Sequence, residues 1–168
     1  ALAGEPDAAD HDLAVINDTL VTMHRWYLDH LPLAQLQPVV AAERTQPPGC
    51  GQLCGCTCHL LSARMYAEHV APLDAALLAA YPNPGMIHLC GAHLQHLPAW
   101  RAMEQLGSVQ LNDRAAADLE AYWVGLRDDQ VIYLNPCKEM PVPRALEITG
   151  GKRLVIVGEP QGAATLSS

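Results

Sequence analysis

The sequence has no phenylalanine, few basic residues and no apolar run long enough to cross a membrane. The missing run excludes a spanning helix, and a soluble protein is expected. Ten Lys and Arg face 18 Asp and Glu, for a formal charge of −8. Phosphate backbones are held by basic patches, so nucleic acid is not an expected partner, and nor is a membrane. The opening residues, Ala1 to Asp10, are acidic and lack the apolar segment of a secretory signal. The chain begins with Ala rather than Met and is expected to be processed or cut from something longer. The paired C-x₂-C spacing of zinc fingers is also missing. The lack of phenylalanine excludes nothing by itself.

What is present is cysteine and histidine. The six cysteines stand at 50, 54, 56, 58, 90 and 137, four of them within nine residues. Secreted disulfide scaffolds are smaller and spread their cysteines. A reducing cytoplasm is expected, with thiols kept for a metal or for catalysis. The cluster Cys50, Cys54, Cys56, Cys58 and His59 could chelate a metal. On a strand, Cys54, Cys56 and Cys58 would share a face. The alternative is a glycine-rich strand and loop in which Cys serves as a small residue.

A second stretch, Gly85-Met86-Ile87-His88-Leu89-Cys90-Gly91, is a short apolar run bracketed by glycines. Residues i and i+2 of a strand point to the same face, so His88 and Cys90 would project together from its C-terminal end. An imidazole beside a thiolate suits zinc or thiol chemistry. The alternative is a buried strand with a hydrogen-bonded His and a core Cys.

Residues 1–45 are read as an N-terminal helix and linker. The helix is expected to be capped by Asp10 or Asp12 and to run to about His30, with Leu13, Ile16, Leu20, Met23 and Tyr27 on one face. The linker contains a short apolar patch, Val39 to Ala42. Ser62 opens a second helix, which Pro72 should kink or divide. Strands are expected near 86, 109, 131 and 154, with helices at Leu94–Leu106, Ala115–Leu126 and Val142–Ile148 between them. The rhythm is about 23 residues, one strand and one crossover helix per unit, which marks a parallel α/β array. The array spans 46–160, with a fifth strand at the cysteine cluster, and 161–168 form a tail.

The expected strands end in polar or reactive residues: His88 and Cys90, Asn112 and Asp113, Asn135 and Cys137, then Glu159. Ligands bind at this edge of parallel α/β sheets. Asn112, Asp113 and Glu159 are therefore candidate catalytic residues, placed to orient a substrate. The bland alternative is that such residues punctuate strand ends as turn formers and helix caps, Asp113 capping the helix after it.

Two stretches resemble the uroporphyrinogen decarboxylase superfamily. Leu61-Ser62-Ala63-Arg64-Met65-Tyr66-Ala67-Glu68-His69-Val70-Ala71-Pro72 is similar to a family helix with a proline at this place, and Ile87-His88-Leu89-Cys90-Gly91 to the strand that follows it. The resemblance covers roughly residues 50–160 and implies the C-terminal part of a (β/α)₈ TIM barrel. A whole barrel needs about 200 to 250 residues. A partial one implies a missing N-terminal half or a homo-oligomer covering the open sheet edge. The superfamily contains tetrapyrrole decarboxylases of porphyrin biosynthesis and corrinoid-linked zinc methyltransferases. The Arg-rich opening motif of the decarboxylases has no counterpart here, which favours the second branch. In that branch the resemblance implies zinc on His88 and Cys90, with Cys137 as a later third ligand. It also implies a small-molecule thiol acceptor and a methyl group carried by a partner's corrinoid. Decarboxylation is the second reading. A non-catalytic partial barrel that serves as a binding domain is the third.

Overall fold

Short runs of Val, Ile and Leu alternate with helical stretches through the second half of the chain, and they fold as parallel strands. The computed structural model describes residues 4–36 and 46–158. Five strands, β1 (Cys50–Cys54), β2 (Asn83–Leu89), β3 (Leu106–Leu111), β4 (Val131–Leu134) and β5 (Leu154–Ile156), form one sheet. They lie in sequence order, β1-β2-β3-β4-β5, and every neighbouring pair is parallel.

Register sorts the side chains into rows. Leu53, Ile87, Val109, Ile132 and Leu154 pair across all five strands. Leu89, Leu111, Leu134 and Ile156 make the next row on that face. Paired residues of a parallel sheet share a face, and these rows are wholly apolar. They merge into one core with Tyr66, Leu78, Trp100, Leu119, Tyr122 and Ala145 from the helices. The opposite face carries Cys54, His88, Gln110, Tyr133 and Val155 in one row. Gln52, Met86, Ser108 and Val131 form another.

The helices depart from the sequence expectations at definable points. Helix α1 (Pro6–His30) starts earlier than Asp10, because Pro6 sits in its first turn, where a missing N–H costs nothing. Asp10 does not cap it but bonds to His69, 2.7 Å away. Ile16, Leu20, Met23 and Tyr27, which share one helical face, are exposed. This helix packs on α3 (Ala71–Leu78) rather than on the sheet, and His24 meets Tyr81 there.

Ser62 caps α2 (Ala63–Met65) by accepting from the Met65 N–H. The chain then widens into a π turn over Tyr66–Val70, closed by the Ala71 N–H on the Tyr66 carbonyl. Pro72 follows at once, so the division expected from it is realised as this bulge. Proline has no N–H for the turn before it, and its ring crowds that turn.

The helix expected over 94–106 is shorter. A 3₁₀ turn (Leu94–His96) leads into α4 (Leu97–Ala102), and β3 begins at Leu106. Gly107 allows that early start, since a Cβ there would lie 2.8 Å from Pro84. The 115–126 helix divides at Asp118 into α5 (Asp113–Ala117) and α6 (Leu119–Gly125). Helix α7 (Val142–Thr149) ends on Gly150 in the left-handed conformation. The patch Val39–Ala42 and the tail 161–168 lie outside the described residues. Among the described residues, no helix is long and apolar enough to cross a membrane.

Candidate metal centre

The C-terminal edge of the sheet collects the thiols and imidazoles. Strand β1 ends at Cys54, and the Gly55 N–H bonds to the His88 carbonyl. A side chain at 55 would collide with Ile87, whose Cδ1 lies 2.7 Å from the Cβ position. With glycine there, the chain turns over β2 into a 3₁₀ segment, Cys56–Leu60. That turn overturns the expectation of one strand face shared by Cys54, Cys56 and Cys58. Cys56 stays at the rim, while Cys58 packs against the helix-side core. Cys50 is buried at the opposite end of β1.

Cys56, His88 and Cys90 converge, with one ligand atom from each lying within 4.8 Å of the others. His88 is buried, and Cys56 and Cys90 are half-buried. Cys54 Sγ stands 3.6 Å from Cys56 Sγ. Burial, followed by sulfur contacts with Cys90 and Cys54, pushes the Cys56 thiol up to about 12.

His88 is held from the side. Its Nδ1 lies 2.9 Å from Gln110 Oε1, and Gln110 Nε2 donates to Asn135 Oδ1 at 2.8 Å. Gln110 is fully buried and is the lateral neighbour of His88 in the sheet. An Nδ1–H donated to that carbonyl would place the ring lone pair on Nε2.

Further imidazoles enclose the cluster. His93 Nε2 accepts from the Gly91 N–H at 3.1 Å, and the His59 ring stands edge-on to His93. His59 Nδ1 reaches the Cys56 carbonyl, and His96 Nε2 the Cys58 carbonyl at 2.8 Å. Burial first, then the neighbouring His59, His96 and His88, depress His93 to about 4, so it is neutral at physiological pH.

The other expected site residues fall as follows. Cys137 does not complete a group with His88 and Cys90. Its backbone turns sharply there, exchanging hydrogen bonds with Met140, and the half-buried residue packs against the core. Asn112 precedes α5, and its N–H continues the ladder onto the Leu89 carbonyl. Asp113 is the first residue of α5 rather than its cap; it is exposed and has a left-handed φ of 46°. Glu159 lies outside the described residues. Asn135, expected on the rim, takes part in the Gln110 relay.

Two participants were not anticipated. In sequence Cys56 reads only as part of its own cluster, and the clue to its partners is Gly55, which lets the chain after β1 pass close against Ile87. Gln110 sits between Val109 and Leu111 and reads locally as a solvent-facing strand residue. Only its register opposite His88 gives it a role.

Comparison with protein-family models, curated proteins and solved structures finds no match for this chain.

Proposed function

We propose that the protein is a zinc-thiolate enzyme that prepares a small thiol for methyl transfer. Its Cys56, His88 and Cys90 hold the metal at the C-terminal edge of a partial (β/α)₈ barrel of the uroporphyrinogen decarboxylase type. The observation that carries this reading is the convergence of two sulfurs and one imidazole within 4.8 Å. Catalytic zinc takes three protein ligands of these kinds and keeps a fourth position for water or substrate.

The barrel reading draws support from the strand order. Strict sequence order is that of a barrel wall, whereas doubly wound sheets reverse direction midway. The face opposite the helices also resembles the lining of a lumen. Ser108 and Gln110 are buried on it, and the Gln52 amide is buried there with no hydrogen-bond partner.

Bound zinc lowers the pKa of a coordinated thiol and keeps it ionised near neutral pH. The chain's own residues do the rest. Gln110 and Asn135 orient His88, and the half-buried thiols restrict water. Asn112 and Asp113 stand at the same strand ends, where a substrate would enter. The methyl donor is a corrinoid carried by a partner.

The test is metal analysis of full-length protein purified without chelator. One equivalent of zinc, lost in Cys56→Ser and Cys90→Ser and kept in Cys137→Ser, is expected. Zinc retained in both of the first two variants would contradict the site.

A further inference from the structure

The geometry points to Cys54 as a fourth donor to this centre, completing a Cys₃His set, and as the donor that yields to an incoming small thiol. The inference rests on the three-donor reading above and specifies how its open position is guarded.

Cys54 Sγ stands outside the 4.8 Å group and joins it by a side-chain rotation, and two features put it within reach. Its Sγ lies 3.6 Å from Cys56 Sγ. Two thiolates bound to one tetrahedral zinc at ~2.3 Å are themselves about 3.8 Å apart, so the pair is already spaced as co-ligands. Cys54 also pairs laterally with His88 at the end of β1, which puts both side chains on one face of the sheet. Three sulfurs and one imidazole are a complete tetrahedral zinc set.

The four donors are not equally held. His88 is buried and tied through Gln110 to Asn135. Cys56 and Cys90 are half-buried. Cys54 is exposed and sits on β1, an edge strand of the described sheet, with β2 as its neighbour. Rotation of its side chain toward solvent disturbs no packed core, so it is the donor released at least cost.

The exchange balances without any oxidant or reductant. An incoming thiol forms a zinc–sulfur bond as the Cys54–zinc bond breaks. The proton of the incoming thiol passes to the departing Cys54 sulfur. The set keeps three thiolates throughout, and the substrate thiolate now occupies the exposed corner. The ligand class is therefore a small, unhindered alkyl thiol.

Zinc-edge X-ray absorption on the reduced, zinc-loaded full chain tests this, with methaneselenol as the probe. The wild type is expected to show three sulfurs and one nitrogen, and methaneselenol to replace one sulfur by one selenium. Cys54→Ser should show two sulfurs, and should take up selenium without losing either. Cys58→Ser should behave as the wild type.

Two sulfurs in both wild type and Cys54→Ser would overturn the inference while leaving the three-donor site standing. Three sulfurs that persist in the wild type, with no selenium bound, would overturn the exchange. Zinc that is not held, or is held regardless of Cys56 and Cys90, would overturn both readings.

Discussion

Two rows of side chains cross the same five strands one residue apart, and they share almost nothing. Leu53, Ile87, Val109, Ile132 and Leu154 meet the helices in a continuous apolar layer. Cys54, His88, Gln110, Tyr133 and Val155 form the row beside them and carry a thiol, an imidazole, an amide and a phenol. Side chains alternate across a strand, so a slip of one residue would exchange the rows. The apolar row thereby fixes the position of the polar one. The apolar core lies on one face of the sheet and His88 of the candidate metal group on the other, and changes on the two faces should have separable effects.

The largest effect is expected from the apolar row. Ile87 is 1% exposed, and Ile87→Ala should cost about 2–5 kcal/mol in denaturant unfolding. His88→Ala, one residue on, should remove zinc with a smaller loss of apo stability. Equal losses of stability in both variants would break the comparison.

The helix side contains one ionisable group with a clear pH signature. Asp74 accepts from the Tyr66 hydroxyl at 2.7 Å, and Trp100 Nε1 donates to that same hydroxyl at 2.8 Å. Burial raises Asp74 from 3.8 to about 6, with the Tyr66 bond opposing the rise. The folded state therefore binds this proton more tightly than the unfolded one. The resulting stability is complete below the unfolded value and is lost as pH rises through about 6. At ~1.4 kcal/mol per unit, about 3 kcal/mol should disappear between pH ~4 and ~6. Asp74→Asn should flatten that slope in chemical unfolding at several pH values, with zinc content unchanged.

On the polar face, Cys56→Ser should weaken zinc binding by more than about 100-fold, beyond the range seen for outer ligand supports. Gln110→Leu leaves His88 without its orienting carbonyl and should cost ~10–100-fold in zinc affinity. Competition with a chromophoric chelator measures both, and an unaltered affinity in Gln110→Leu would separate the imidazole from its neighbour. The smallest effect is expected at Cys137, where Ser should leave zinc affinity unchanged.

The parallel sheet and the His88–Cys90 pair were legible because each depends on local pattern. Strand runs, punctuating turns and the two-residue period lie within a few positions of one another. The third donor was not legible. Cys137 was expected because it follows another strand, but the chain turns at Cys137–Met140 and leaves it against the core. Cys56 takes the place because Gly55 lets the chain after β1 pass close against Ile87. That close approach depends on which strands are neighbours, which no short window of sequence contains. Gln110 is hidden for the same reason, since its partner lies 22 residues away on β2. The apolar stripe of α1 shows the converse: a helical period marks a helix without stating what, if anything, covers it.

The central claim is most directly tested by anomalous diffraction at the zinc edge from crystals of the zinc-loaded protein. The expected result is one peak about 2.0–2.3 Å from His88 Nε2 and from the sulfurs of Cys56 and Cys90. A peak ligated by Cys137, or zinc bound away from His88, would contradict it.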